Sequence, residues 1–355
     1  MTRLEKLRCA MDKLGADAVL VTSEINEKYI SSFNFTDGLL VITKSRACMI
    51  TDSRYSEAAK NEAPDFEIIL PQNGQITAVG EILAAEGAKT VAFEDLEMSV
   101  SVYNSYREKL TDCEFIPMGK MIGDLREFKD EAEIACIKAA QKITDDAFEH
   151  IIKIMTPKMT ETEVALELEY FMRRAGAEEK SFDTICVSGA ASSMPHGVPK
   201  NRPLQSGFLT MDYGAIVGGY HSDMTRTVCL GKADDEMKRL YNTVLQAQCA
   251  AIERMKVGML CSDIDAIARD IIYDAGYKGH FGHSLGHGVG LEIHESPRFA
   301  PMATTALLTP GHVVTVEPGI YIEGKYGCRI EDMIIAREDG IEDITASRKE
   351  LIELF

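Results

Sequence analysis

The sequence predicts an α+β protein of two domains, a smaller α/β domain over residues 1–122 and a larger α+β domain over residues 123–355. A length of 355 residues corresponds to about two domains of roughly 100–200 residues each. Short β-like runs alternate with helical patterns in the first third of the chain. Further along, two pairs of helical patterns are each followed by β-like segments. This order suggests two similar halves folded around a shared sheet.

Composition and charge exclude several classes of protein. Apolar residues make up 45% and charged residues 26% of the chain, as in soluble globular proteins. The net charge of -18 argues against nucleic acid and anionic membrane surfaces as partners, because both require a cationic surface. No apolar run is long enough to span a membrane, and residues 1–8 alternate charge with leucine, so we expect a cytoplasmic protein. The nine cysteines lack a CxxC spacing and are predicted to be reduced thiols.

The first domain has four predicted strands and few residues suited to catalysis. The chain has no histidine before His150. Gly119 and Gly123 flank the expected boundary between the domains. The β-like runs are Ala18–Val21, Leu39–Ile42, Phe66–Leu70 and Thr90–Phe93.

Four amphipathic helices are predicted in the second domain. Apolar residues recur at helical spacing from Phe128 to Ile154. A second helix begins at Thr160, which forms a capping-box pattern with Glu163, and ends at Gly176. The other two helices are expected over Met237–Met255 and Ser262–Ile272.

A β-hairpin is predicted around Gly218-Gly219, a pair that supplies the positive φ of a tight turn. If Val217 pairs with Tyr220, Asp212 lies opposite Thr225, and alternation puts Asp223 on the same face. Two aspartates directed at one point repel each other unless a cation lies between them. The alternative is a pair of solvent-facing aspartates on an edge hairpin.

Three further segments carry residues that can bind metals. Residues 283–295 are rich in glycine and contain His283, His287 and His294. Glu317 ends a β-like run, and Glu331 shares a strand face with Arg329; each glutamate alone is also consistent with a solvated strand end. Two Asp, two Glu and one His form an oxygen-rich set suited to divalent ions such as Mn²⁺. With two bridging carboxylates, such a set would hold two ions about 3.5–4 Å apart that share a water or hydroxide.

The sequence resembles the metallopeptidases of the pita-bread fold, and among them the Xaa-Pro peptidases, aminopeptidase P and prolidase. The resemblance implies a pita-bread catalytic domain with pseudo-twofold halves behind a creatinase-like N-terminal domain. It also implies that the ligands of two metal ions are Asp212, Asp223, His287, Glu317 and Glu331. Short methionine aminopeptidases share this ligand set but resemble only the C-terminal half. The matching strings are 195–197, 211–227, 283–295, 316–321 and 327–332.

The resemblance implies hydrolysis of the peptide bond between an N-terminal residue and proline, with a hydroxide shared by two metal ions as nucleophile. Glu317 is the expected general base, and His196 and His294 the expected hydrogen-bond donors to the reacting groups. His283 and Tyr321 are expected to bind the substrate. Arg329 is expected to hold a ligand carboxylate in place; the alternative is a surface salt bridge.

Arg298 bears on the choice between dipeptidase and aminopeptidase, because a guanidinium can bind the free carboxylate of a dipeptide bidentately. The alternative is an exposed loop arginine without a role. Mn²⁺ is the expected metal, with Co²⁺ and Zn²⁺ left open. By analogy with the family, we expect a homodimer in which the N-terminal domain forms a dimer contact or a wall of the pocket. Proline-containing peptides are the expected partners. A methionine-type aminopeptidase and a non-catalytic peptide- or protein-binding module are the alternatives.

Overall fold

The computed structural model describes all 355 residues and divides into two compact units, residues 1–126 and residues 127–355. The boundary that we predict after residue 122 falls inside a short helix, Met121–Arg126, which belongs to the first unit. None of the helices is long and apolar enough to cross a membrane. All nine cysteines are free thiols, as predicted.

The first unit is a six-stranded mixed sheet with helices. In chain order the elements are α1 (Arg3–Leu14), β1 (Ala18–Val21), α2 (Glu24–Ser31), β2 (Leu39–Thr43), β3 (Ala47–Ile50), α3 (Ser56–Glu62), β4 (Glu67–Ile69), α4 (Gln75–Glu86), β5 (Thr90–Phe93), α5 (Val100–Lys109), β6 (Glu114–Pro117) and α6 (Met121–Arg126). The sheet has the strand order β4-β3-β2-β1-β5-β6. All four predicted strands are present as β1, β2, β4 and β5, whereas β3 and β6 were not predicted.

The first half of the second unit consists of two helices followed by antiparallel strands. Both helices begin with a capping box, formed by Asp130 with Glu133 and by Thr160 with Glu163. The apolar stripe of the first helix, including Phe148 and Ile151, packs in one core with the strand Gly207–Tyr213, which carries Asp212. The elements are α7 (Glu131–Ile154), α8 (Glu161–Arg174), β7 (Glu179–Lys180), β8 (Ile185–Ser188), β9 (Gly207–Tyr213), β10 (Ala215–Val217), β11 (Tyr220–His221) and β12 (Met224–Leu230).

The second half repeats this order of a helix pair followed by strands. Both helices pack in a core that includes Val314, Val316 and Ile334. The elements are α9 (Asp235–Arg254), α10 (Cys261–Ile272), β13 (Gly286–Gly288), β14 (Glu295–Phe299), β15 (Val313–Val316), β16 (Gly319–Ile322), β17 (Tyr326–Arg329), β18 (Asp332–Arg337), β19 (Gly340–Asp343) and β20 (Glu353–Leu354). The four predicted helices are therefore present, with ends within three residues of the expected ones.

Two sheets meet at the centre of this unit. One sheet has the order β20-β12-β9-β8, and the other has the order β14-β13-β15-β18-β19. The Glu331 amide, just before β18, donates to the Thr225 carbonyl of β12 over 3.1 Å. The sheets therefore approach each other at the residues that the sequence assigns to a metal site.

The predicted hairpin register is confirmed, but the hairpin is interrupted. Val217 pairs with Tyr220, and Thr225 pairs with Asp212. The tip strands β10 and β11 belong to a different sheet from β9 and β12. The regular strand is interrupted at Gly214, between β9 and β10, where an added Cβ would lie 1.9 Å from the Ser222 carbonyl oxygen. This close approach requires glycine and places Asp223 in the gap immediately before β12.

Candidate metal centre and active site

Five side chains from separate segments of the chain come together where the two sheets meet. Asp212 lies near the end of β9, Asp223 precedes β12, and His287 is the middle residue of β13. Glu317 directly follows β15, and Glu331 lies between β17 and β18. Asp223, Glu317 and Glu331 therefore lie just outside strands, whereas Asp212 and His287 lie within strands.

The distances identify a compact group of possible ligand atoms. One ligand atom from each of Asp223, His287 and Glu331 lies within 4.8 Å of the other two. The Nε2 atom of His287 is 3.6 Å from Asp223 Oδ2 and 3.4 Å from Glu317 Oε1. Asp212 is close enough to raise the pKa of Glu331, after the larger effects of burial and of Glu317.

Burial makes this group of carboxylates costly to ionise without a cation. Burial, reinforced by Glu331 and Asp212, raises the pKa of Asp223 well above its usual range. Burial likewise raises the pKa of Glu317 to about 8. Several carboxylates at one buried point are stabilised in their ionised form by a bound cation.

The donor set fits divalent cations. Asp212 Oδ1 is buried and has no hydrogen-bond partner, so one carboxylate oxygen is left available for a ligand. His287 Nδ1 lies 3.0 Å from the Gly288 carbonyl; by donating there it leaves the Nε2 lone pair directed at Asp223 and Glu317. Burial lowers the pKa of His287 to about 4, so the ring is neutral at neutral pH, as a metal ligand must be.

Polar side chains behind the carboxylates fix their orientation. The Thr225 hydroxyl donates to Glu331 Oε2 over 2.6 Å and accepts from Arg329 Nε over 2.9 Å. Arg329 is buried, and its Nη2 donates to Asp212 Oδ2. Arg329 is therefore a buried partner of a predicted ligand, and the alternative of a surface salt bridge is wrong.

A cavity of about 840 Å³ opens over this group. Its size lies within the range of roughly 300–1,000 Å³ that is usual for small-ligand sites. All five predicted ligands line it, together with His196, His283, His294, Arg298 and Arg329. Apolar residues complete the wall, among them Phe182, Ile185 and Ile293.

The outer histidines and Arg298 differ in their surroundings. His196 and His294 are exposed to the cavity, and the His294 ring packs edge-on against the His287 ring at 4.5 Å. Burial lowers the pKa of His283 to about 3, so its ring is neutral. Arg298 is exposed in the wall and has no carboxylate within 4.0 Å, so its charge is available to a ligand.

Tyr321 is placed differently from our expectation. It does not line the cavity, although we predict substrate binding for it. Its hydroxyl lies 3.0 Å from His283 Nε2 and accepts from Arg329 Nη1 over 2.7 Å. The Tyr321 hydroxyl therefore links His283 to Arg329 without lining the cavity.

Two residues that support the carboxylates, Thr315 and Thr225, were not predicted from the sequence. Thr315 lies two residues before Glu317, and its hydroxyl donates to Glu317 Oε1 over 3.4 Å. Its position on the same strand face was a signal that strand periodicity could have used. Thr225 stood opposite Asp212 in the predicted register, but its bond to Glu331 joins residues 106 apart and had no local signal.

Comparisons with known proteins identify the family of this chain. The profile of metallopeptidase family M24 matches residues 135–338, and that of the creatinase/prolidase N-terminal domain matches residues 3–128. The Xaa-Pro dipeptidase of Pyrococcus furiosus is 37% identical over 352 residues, which cover 99% of each chain.

Solved structures agree in fold as well. A Xaa-Pro dipeptidase from Bacillus anthracis superposes with a TM-score of 0.96 at 44% identity, covering 99% of both chains. An X-Pro aminopeptidase from Thermotoga maritima gives a TM-score of 0.92 at 36% identity, covering 98% of this chain and 100% of that one. The expected pita-bread fold is thereby confirmed for the second unit. This chain belongs to metallopeptidase family M24, within the branch that carries a creatinase/prolidase N-terminal domain.

Proposed function

We propose that this protein is a metal-dependent exopeptidase that hydrolyses the bond between an N-terminal residue and proline. The observation that carries the proposal is the convergence of four carboxylates and one neutral imidazole at the base of a cavity of about 840 Å³. The relatives named Xaa-Pro dipeptidase and X-Pro aminopeptidase supply the substrate class.

The residues that would hold two divalent ions are Asp212, Asp223, His287, Glu317 and Glu331. The free Oδ1 of Asp212 and the Nε2 lone pair of His287 support this assignment. Mn²⁺ suits a set dominated by carboxylates, and Co²⁺ and Zn²⁺ are the competing ions. When bound, such ions lower the pKa of water enough to supply a nucleophile near neutral pH and polarise the scissile carbonyl.

Glu317 is the proposed general base. It is held by Thr315 and lies beside His287, so its carboxylate faces the reacting groups in a fixed orientation. It would accept the proton of the attacking water and pass it to the leaving nitrogen. His294 and His196 face the same cavity and would donate hydrogen bonds to the developing oxyanion or to the leaving nitrogen.

The proline ring is proposed to lie against His283. The tertiary amide nitrogen of an Xaa-Pro bond has no hydrogen, so a site that hydrogen-bonds to a backbone N–H at this position would not accept it. His283 offers a neutral, largely buried ring whose position is fixed by Tyr321. A flat uncharged surface of this kind suits the saturated ring of proline.

Arg298 favours a dipeptidase over an aminopeptidase. Its guanidinium reaches the cavity without an ion-pair partner, and a dipeptide would bring its C-terminal carboxylate close to the scissile bond. Pairing of the two groups would be bidentate and specific. A longer peptide has no carboxylate at that point and would gain nothing from Arg298.

The test is hydrolysis by the Mn²⁺-loaded protein of Ala-Pro, Ala-Pro-Ala and a Met-Ala peptide. We expect Ala-Pro to be cleaved best and His287→Ala to remove most of the activity. Preference for the Met-Ala peptide would instead indicate a methionine-type aminopeptidase. Absence of cleavage together with absence of bound metal would indicate a peptide- or protein-binding module.

We also propose that the protein is a homodimer. The support is the family resemblance and an N-terminal unit that has no catalytic residues of its own. Sedimentation velocity at several protein concentrations tests this directly. A dimer mass that persists on dilution supports the proposal, and a monomer mass throughout contradicts it.

A further inference from the structure

We propose that Arg269, on α10, is a positioning residue that fixes segment 281–285 and thereby holds His283 and Glu317 towards the same cavity. Arg269 does not line the cavity and touches none of the predicted ligands. The inference rests on the proposed function, because it concerns how two residues of that site are held.

The guanidinium of Arg269 connects the helix to two carbonyl groups of one loop. Its Nε and Nη2 donate to Asp265 over 2.6 and 2.8 Å, which forms a bidentate ion pair one helical turn apart. Its Nη1 donates to the Phe281 carbonyl over 3.0 Å, and Nη2 donates to the His283 carbonyl over 2.9 Å. The guanidinium also lies 4.2 Å from the centre of the Phe281 ring.

Asp265 extends this connection to Glu317. Its Oδ1 accepts from the Leu285 amide over 3.1 Å. The Leu285 carbonyl in turn accepts from the Glu317 amide over 2.7 Å. A single residue, Leu285, therefore separates the buried ion pair from the backbone of the proposed general base.

The two residues that depend on this pair face each other in the cavity. His283 Nδ1 lies 3.8 Å from Glu317 Oε2. The Asp265 side chain is 1% exposed and that of Arg269 is 13% exposed, so water does not compete strongly for their hydrogen bonds. Segment 281–285 is neither helix nor strand, so it has no regular backbone hydrogen bonds to fix its conformation. The hydrogen bonds with Arg269 and Asp265 serve this purpose instead.

The planar fork of arginine is what this arrangement requires. Lysine at position 269 would keep the charge next to Asp265, but a single ammonium cannot bind one carboxylate bidentately and reach both carbonyl groups. The variant Arg269→Lys therefore preserves the ion pair and the Asp265–Leu285 bond while it releases Phe281 and His283. It separates a positioning role from a role in the stability of α10.

The first test is a double-mutant cycle with Ala-Pro as substrate and Mn²⁺-loaded protein. We expect Arg269→Lys to lower kcat/KM by about 10–100-fold, because a displacement of about 1 Å of a substrate-positioning residue can cost about 10²-fold in rate. In a His283→Ala background, Arg269→Lys should lower kcat/KM by at most about threefold, because the residue that Arg269 positions is absent. Equal losses in both backgrounds would overturn the proposal.

Lys142→Met is the matched control. Lys142 pairs with Asp146 at the same spacing on α7, but both side chains are exposed. Its kcat/KM should stay within about twofold of the unchanged protein, as expected for a surface ion pair. If Arg269→Lys does not fold, as judged by circular dichroism, Asp265→Asn replaces it in the cycle, because it removes the charge that holds the guanidinium fork.

A second readout does not depend on activity. In metal-free protein labelled with ¹³C at histidine, the His283 signal is assigned by its loss in His283→Ala. Arg269→Lys should shift or broaden this signal and leave that of His150, which stacks on Phe171 in the other half of the unit, unchanged. An unmoved His283 signal would overturn the proposal. If the unchanged protein cleaves no Xaa-Pro peptide, the proposed function fails, and this spectrum still decides the positioning role.

Discussion

Replacing Glu27 by glutamine should change how the stability of the N-terminal unit depends on pH. Glu27 lies on α2, its side chain is buried, and neither carboxylate oxygen has a hydrogen-bond partner. Burial, reinforced by Glu94 and Glu24, raises its pKa to about 9. Glu27 is therefore protonated in the folded protein at neutral pH and ionised in the unfolded chain.

The sign of the effect follows from this difference in pKa. Unfolding releases a proton from Glu27 between its ordinary pKa of 4.5 and the folded value of about 9. The stability associated with its protonated form is fully present below the lower value and is lost as pH rises towards the upper one. In this window the contribution of Glu27 to the free energy of unfolding falls by about 1.4 kcal/mol for each pH unit, and therefore by about 4 kcal/mol over three units. Access of water to the ionised carboxylate makes this an upper bound.

The assay is urea unfolding followed by far-ultraviolet circular dichroism, because the chain has no tryptophan. At about pH 5, Glu27→Gln and the unchanged protein should agree within about 1 kcal/mol, and at about pH 8 the variant should be more stable by up to about 4 kcal/mol. Glu57→Gln, at an exposed position of α3, is the matched control and should follow the unchanged protein. The same difference between Glu27→Gln and the unchanged protein at both pH values would refute the reasoning.

Three further predictions concern the second unit. Arg298→Ala should lower kcat/KM for Ala-Pro by about 10–100-fold through loss of a charged hydrogen bond, and that for Ala-Pro-Ala by less than about threefold; equal losses would exclude a carboxylate clamp. His294→Ala and His196→Ala should each lower kcat by about 10²–10³-fold with bound metal retained, measured by turnover and metal analysis; unchanged turnover would remove the residue from the mechanism. Gly214→Ala should lower the free energy of unfolding by about 1–3 kcal/mol, because the added Cβ would clash with the Ser222 carbonyl oxygen. Urea unfolding measures this free energy, and a value equal to that of the unchanged protein would contradict the prediction.

Local sequence signals predicted much of the second unit. The capping box at Thr160 and the glycine pair at the hairpin tip each act within a few residues, and the structure has both where they were expected. The register followed from the tip, so the facing pair of Asp212 and Thr225 also followed. These features depend on neighbours in the sequence, which a single chain displays directly.

Features that depend on contacts between distant segments were not predicted. The interruption at Gly214 results from the approach of a carbonyl on the partner strand, which no spacing along the chain reveals. The strand position of Arg329 predicted that it would hold a ligand carboxylate. It did not predict that this carboxylate belongs to Asp212, which is 117 residues away in the sequence. Asp265 and Arg269 show the helical spacing of an ion pair, but the loop they hold is defined only in three dimensions.

Short strands were also missed in the first unit. The strands Ala47–Ile50 and Glu114–Pro117 have four residues each. In β3 all four residues are buried, so the alternation that marks a half-buried strand is absent. In β6, an edge strand, the pattern is too short to distinguish from a loop.

The central claim is that Asp212, Asp223, His287, Glu317 and Glu331 together bind two divalent ions. Anomalous diffraction from crystals soaked with Mn²⁺ tests it most directly. We predict two peaks, about 3.5–4 Å apart, each in contact with carboxylates of this group. A map without peaks at this position, or with its only peaks beside other residues, would contradict the claim and with it the proposed peptidase.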